Sequence, residues 1–180
     1  MRKLKIFEIE RIDADAFRQA DKIPVVLVLD NIRSAHNVGS FFRTSDAFRV
    51  AHIYLCGITA QPPSNEIRKT ALGATESVEW SYHESTRDVV ESLKQKGFIM
   101  AGIEQVDEPV MLEDYKNENN QPIALVFGNE VKGVQQSVLD QCDIAIEIPQ
   151  YGTKHSLNVS VSGGIVIWEV FRQFRNVLDR

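Results

Sequence analysis

Three short polar segments carry the residue types that could do chemistry. The last of them, Ile148 to Gly164, reads IPQYGTKHSLNVSVSGG. Ser156, Asn158, Ser160 and Ser162 alternate there with Leu157, Val159 and Val161, between Pro149 and Gly152 on one side and Gly163-Gly164 on the other. By period alone, Ser156 to Ser162 is a half-buried strand. A polar face made only of Ser and Asn lacks the Lys, Glu and Thr that solvent usually draws. The other reading is a ligand cradle, in which small hydrogen-bonding side chains and glycines let backbone approach a bound molecule. The stretch alone leaves both open.

The first segment is Asn31-Ile32-Arg33-Ser34-Ala35-His36-Asn37-Val38-Gly39, with Arg43 six residues beyond Asn37. Free amides at a helix start, with an arginine nearby, suit an anion, and the planar guanidinium fork matches phosphate. The plainer reading makes Asn37 a helix cap, Arg43 a surface residue and His36 a loop histidine. The second segment, Phe127-Gly128-Asn129-Glu130-Val131-Lys132-Gly133, places two glycines five apart after an apolar run. It is either a place where backbone meets a flat ligand or a simple turn. In the turn, Gly128 supplies positive φ and Glu130 favours a helix dipole.

The elements that must hold these segments follow a strand–helix alternation. Val25 to Leu29 is a continuous apolar run, the pattern of a strand buried on both faces. His52–Gly57, Val78–Tyr82, Phe98–Ile103, Ile123–Phe127 and Ile144–Ile148 read as further strands. Asn37–Phe48, with Val38, Phe41, Phe42 and Ala47 inward, reads as a helix. So do a segment capped by Ser64 and stopped at Gly73, Thr86–Lys96, and Val131–Gln141. From Gly163 onward Val166, Ile167, Val170, Phe171, Phe174 and Val177 sit at helical spacing. Residues 1–22 are helical or irregular, with Ile6, Ile9, Ile12 and Phe17 loosely at helical spacing. Asp107–Gln121 is an acidic surface connection anchored by Met111, Leu112 and Tyr115. This is a parallel α/β sheet, whose ligands sit beyond the carboxyl ends of the strands. The three polar segments each follow a buried strand and are candidates for one shared site.

Composition bounds the partners. With 180 residues, 43% hydrophobic and 25% charged, the chain reads as one soluble domain. No apolar run approaches a membrane span and no secretory core opens the chain, so a cytoplasmic protein is expected. Cys56 and Cys142 lack metal-ligand spacing and read as buried free thiols; no metal is expected. The net charge of −5 argues mildly against nucleic acid, but six acids and one lysine between Glu104 and Glu118 account for all of it. The N-terminal eleven residues, Arg33, Arg43, Arg49, Arg68, Lys69, Arg172, Arg175 and Arg180 lean basic. Nucleic-acid binding would be local rather than charge-driven along a duplex.

In order and spacing, the three segments resemble the motifs of the SpoU (TrmH-like) family of RNA 2′-O-methyltransferases, in the SPOUT superfamily. The matching elements are Asn37-Val38-Gly39 with Arg43-Thr44 and Ala47-Phe48, then Phe127-Gly128-Asn129-Glu130 with Gly133, then Ile148-Pro149 with Ser156-Leu157-Asn158-Val159-Ser160. The resemblance spans about Val25 to Phe174. It implies a single Rossmann-like α/β domain, with residues 1–22 as an extension and 23–180 as the catalytic part. The C-terminal part would form a deep trefoil knot, which connection rules disfavour by default, with Ser156 to Ser162 as knotted loop and helix start rather than a strand. It implies S-adenosylmethionine as cofactor, held by Ile103, Gly128, Asn129, Ile148, Ser156 and Leu157. It puts Arg43 at the catalytic centre, with Asn37, Glu130, Ser156 and Asn158 around it.

The same resemblance implies a tRNA or rRNA partner and a homodimer built on the knot and C-terminal helix, with Trp168, Phe171 and Phe174 facing the second copy. The family's usual glycine after Ala-Phe is replaced here by Arg49, either a neutral change or an added phosphate contact. Two other classes compete: a non-catalytic RNA-binding protein that keeps the fold, and a dinucleotide-dependent oxidoreductase. The second is disfavoured by the absent GxGxxG after the first strand.

Overall fold

The computed structural model describes residues 1–178, apart from the side chains of Ile6 and Val177. Arg180, and the contributions of Ile6 and Val177 to their helical patterns, lie outside the described residues. Seven parallel strands form one sheet in the order β3-β2-β1-β6-β4-β7-β5. They are β1 (Ile23–Asp30), β2 (Val50–Cys56), β3 (Trp80–His83), β4 (Ile99–Ile103), β5 (Val110–Met111), β6 (Ile123–Phe127) and β7 (Ile144–Glu147). The helices are α1 (Ala14–Gln19), α2 (Ala35–Ala47), α3 (Asn65–Ala71), α4 (Ala74–Ser77), α5 (Thr86–Gln95), α6 (Gln136–Leu139) and α7 (Val159–Leu178).

Val25 to Leu29 forms a fully apolar strand because both faces of β1 are covered. Val25, Leu27 and Leu29 join Phe41 and Phe42 of α2 and Val166, Ile167, Val170 and Phe174 of α7 in one core. Val26 and Val28 join Val89, Val90 and Leu93 of α5 and Val138 of α6 in the other. Phe41, Phe127 and Phe174 are fully buried, and each such ring contributes roughly 1.5–3 kcal/mol of transfer free energy. Phe41 meets Phe127 with ring centroids 4.9 Å apart. Gly163 lets α7 lie against α2: a Cβ there would sit 2.2 Å from a ring carbon of Phe41.

The register matters most for function. Leu29 and Ile103 both pair with Phe127, and Ile103 pairs with Ile146. The carboxyl ends of β1, β6, β4 and β7 are therefore level, and the chain leaves each of them at one edge of the sheet.

Several expected elements differ. The strand that the period of Ser156–Ser162 alone suggests is absent, and the loop and helix start that the family resemblance implies stand there: residues 148–158 have no regular structure, and α7 begins at Val159. The two-residue period was a coincidence of a capped helix start. The helix expected over Val131–Gln141 shrinks to Gln136–Leu139, because residues 129–135 are held in a hydrogen-bonded loop. The acidic connection contains β5, which pairs with the end of β7, while Leu112 and Tyr115 are buried beneath it. Ala47 is exposed rather than inward. Phe174, expected at a partner surface, is fully buried in the core. Cys56 and Cys142 are free, and burial pushes their thiols up to about 12 and about 11, as inert structural cysteines require. Among the described residues no helix is long and apolar enough to cross a membrane, and no cluster of three or more His, Cys, Asp or Glu is arranged to hold a metal.

Candidate active site

Beyond the ends of β4, β6 and β7 lies a cavity of about 420 Å³. Its apolar wall comes from Ile103, Phe127, Ile146, Ile148 and Leu157, and its acidic groups are Glu104, Glu130 and Glu147. All six residues expected to hold a cofactor, Ile103, Gly128, Asn129, Ile148, Ser156 and Leu157, line it. The size lies within the roughly 300–1,000 Å³ typical of small-molecule sites.

The loop after β6 is shaped by backbone. Asn129 N–H donates to Gly133 O at 3.0 Å, and Gly133 N–H returns to Asn129 O at 2.8 Å. Asn129 Oδ1 accepts from the amides of Val131 and Lys132, and its Nδ2 donates to Asn31 O at 2.8 Å. The fold-back brings Gly133 and Val134 against Gly128: a Cβ on Gly128 would lie 2.0 Å from Val134 N. Gly128 is thus required by close approach of backbone, and its φ is not positive; the residue with positive φ is Gly133, at 68°. Glu104 completes the loop, its Oε2 accepting from Val134 N–H at 2.9 Å.

A chain of side-chain hydrogen bonds ties the three polar segments together. Glu130 accepts from the amides of Arg33 and Ser34 and from Asn37 Nδ2, at 3.2, 3.0 and 3.0 Å. It therefore braces the chain entering α2, rather than favouring a helix that follows its own loop. Asn37 is buried and sits inside the first turn of α2; the cap hydroxyl belongs to Ser34, which accepts from Asn37 N–H. Asn37 Oδ1 in turn accepts from Asn158 Nδ2 at 3.2 Å and Ser160 Oγ at 3.3 Å. Asn158 Oδ1 accepts from the amides of Ser160 and Val161, which caps α7. Asn37 is the tie between two helix starts. Its partners Glu130, Asn158 and Ser160 stand 93, 121 and 123 residues away along the chain.

Glu130, Ser156 and Asn158 face the cavity, whereas Asn37 lies behind them. Arg43 is not brought to the cavity within one chain. It is exposed, its guanidinium has no hydrogen-bond or ion-pair partner among the described residues, and it opens onto a different groove beside α1, α3 and α4. Sequence reasoning missed Ser160 as a member of the tie and Glu104 as the second brace of the loop. The signal for Ser160 was its place two residues after Asn158, where a helix cap draws a hydroxyl. Glu104 had none, being one acid among many.

Burial acts to raise the Glu130 carboxyl. The hydrogen bonds from its own amide, from Ser34, Asn37 and Arg33 outweigh it, and the net shift is below the ordinary 4.5. A carboxyl held low in the fold adds stability above its unfolded value and loses it as pH falls through the folded value. Glu130→Gln is expected to melt below the parent at neutral pH, and the gap should narrow as pH drops below 4.5. Thermal melts across that range check this; a gap independent of pH contradicts it.

The sequence profile of the SpoU rRNA Methylase family matches residues 24–168. A Staphylococcus aureus protein named as a TrmH family tRNA/rRNA methyltransferase is 33% identical over 173 residues, covering 93% of this chain and 68% of its own length. The A. aeolicus TrmH/SpoU tRNA modifying enzyme superposes with a TM-score of 0.79 at 26% identity, over 91% of this chain and 81% of that one. The fold is also that of the SpoU methyltransferase AviRb of Streptomyces viridochromogenes, whose structure holds AdoMet (TM-score 0.77, 21% identity, 91% and 65% coverage). With its profile matched over most of its length and its three motifs meeting at one edge of the sheet, the chain belongs to the SpoU rRNA methylase family.

Proposed function

We propose that the protein is an S-adenosylmethionine-dependent methyltransferase acting on a ribose 2′-hydroxyl of tRNA or rRNA. The observation that carries this is the cavity itself. A backbone loop hinged on Gly128 and the irregular segment before Asn158 enclose an apolar slot suited to an adenine ring, beside carboxylates suited to a cation. When bound, S-adenosylmethionine supplies a methyl group already activated on a sulfonium. The chain's remaining work is to align the hydroxyl and assist loss of its proton. Ser156 and Asn158 are placed to orient groups at the cavity mouth, and Glu130 and Asn37 hold that mouth in shape. A guanidinium keeps its proton in proteins. Arg43, outside the cavity, is therefore assigned to an RNA phosphate, which positions the ribose and is itself a proton acceptor.

In this proposal residues 1–22 are an extension and 23–180 the catalytic part, with a knotted C-terminal region, in a cytoplasmic enzyme. A homodimer is supported by an apolar stripe on α7, where Val161, Ile165 and Trp168 are 51%, 39% and 49% exposed. Trp168 stacks with Phe171 and contacts Phe48, with ring centroids 5.8 and 5.5 Å away. Trp168→Glu is expected to sediment as a monomer where the parent sediments as a dimer; equal sedimentation removes the assignment.

Transfer of labelled methyl from S-adenosylmethionine to undermodified tRNA and rRNA, followed by nuclease digestion and nucleoside identification, tests the function. The expected product is a 2′-O-methylated nucleoside. No transfer to either RNA, or label on a base, overturns it.

A further inference from the structure

The largest of the described grooves, about 840 Å³, lies away from the cofactor cavity, between the segment leading into α1, the end of α2, and the α3–α4 corner. Arg11, Arg43 and Arg49 line it, with Glu10, Asp13 and Asp46. Two of the acids are engaged: Asp13 caps α1 by accepting from Ala16 N–H, and Asp46 accepts from the Ser77 hydroxyl. Arg11 donates to a backbone carbonyl. The guanidiniums of Arg43 and Arg49 have no hydrogen-bond or ion-pair partner among the described residues.

Arg49 is also conformationally unusual. It sits in the turn from α2 into β2 with φ of 52°, a region that glycine enters freely and that side-chain-bearing residues rarely adopt. Its backbone is locked there: Arg49 N–H donates to Asp46 O, and Arg49 O accepts from Ile23 N–H at 3.0 Å. The position suits glycine on backbone grounds, yet carries a half-buried cation. Burial, and after it the nearby Arg49 charge, lower the Lys22 amine, against the carboxylates of Glu79, Asp21 and Asp46, which raise it.

We infer that Arg49 is a second RNA-phosphate contact, set beside Arg43 in this groove so that the two guanidiniums hold the substrate backbone outside the cofactor cavity. The inference rests on the proposed RNA methyltransferase activity. Its chemistry is that of the arginine fork, which donates two parallel hydrogen bonds to a phosphodiester. Three carboxylates line the groove with the three arginines, so its formal charge is balanced, and the contact rests on the two unpartnered guanidiniums rather than on a positive patch.

The test is Arg49→Gly, which the backbone accepts without strain, so that the variant folds and melts at or above the parent's temperature. Its affinity for total tRNA is expected to weaken about tenfold, and the slope of log affinity against log salt to fall by about one. Calorimetry with S-adenosylhomocysteine is expected to be unchanged. Arg87→Gly, an exposed arginine at the start of α5 on the other face of the sheet, serves as the charge control and is expected to leave both affinity and slope alone. A folded Arg49→Gly protein with parental tRNA affinity and slope overturns the inference, as does an equal loss in the Arg87 control. If the parent binds tRNA through Arg49 but methylates neither tRNA nor rRNA, the catalytic reading fails and the RNA contact stands.

Discussion

Arg43→Ala is expected to lower the turnover of methyl transfer by about a thousandfold, with S-adenosylhomocysteine binding left at the parental value. The size follows from losing the charged group that holds the phosphate positioning the reacting ribose, an effect commonly worth about two to three orders of magnitude. The selectivity follows from the structure. Arg43 is exposed, its guanidinium makes no hydrogen bond or ion pair among the described residues, and it does not line the cavity beyond β4, β6 and β7. Alanine is a better helix former than arginine, so α2 is not weakened and Asn37 stays in its tie. Arg43→Lys restores the charge but not the planar fork and is expected to recover little. Single-turnover assays with calorimetry on the same preparations separate chemistry from binding. Near-parental turnover in Arg43→Ala removes this residue from the mechanism.

Gly128→Ala is expected to have the opposite signature: cofactor binding lost at its root. The added Cβ would fall 2.0 Å from Val134 N and 2.1 Å from Gly133 C, both backbone atoms with no flexible end to yield. Loop 129–135 must then shift, breaking the paired hydrogen bonds between Asn129 and Gly133 and the brace from Glu104. Overpacking of this kind costs about 3 kcal/mol, and the same energy taken from a binding loop is about a hundredfold in affinity. Both unfolding in urea and calorimetry with S-adenosylhomocysteine should register the change. Gly152→Ala, where a Cβ would meet nothing within 4 Å, is the matched control. Parental binding in Gly128→Ala would mean that the cofactor does not rest on this loop.

The two variants fail differently because the motif residues do different things, and residue type alone does not reveal which. Asn37, Glu130 and Asn158 are polar residues in sequence motifs, and each reads equally well as a ligand contact. In the folded chain they largely satisfy one another, bracing the chain entering α2, capping α7 and fastening the three segments. Gly128 illustrates the same ambiguity. A glycine after a strand suggests positive φ, whereas here it answers to the atoms of Gly133 and Val134 folded back upon it.

From the sequence alone came the buried strands, because a run such as Val25–Leu29 is stable only with both faces covered. The α/β alternation came with them, as did the three polar segments at the strand ends and the family resemblance written in their residues. What only the tertiary structure decided was set by partners far away in the chain. Strand order and register put Ile103, Phe127 and Ile146 level. Val131–Gln135 is loop rather than helix, because Asn129 and Glu104 claim its amides. Ser156–Asn158 is not strand, because Asn158 caps a helix anchored through Asn37. Arg43 faces a groove apart from the cavity that Ser156 lines. The physical reason is the same in each case. Periodicity reports which side of an element is buried, a local property, whereas the aim of a polar side chain depends on which unsatisfied donor or acceptor another segment brings within 3 Å.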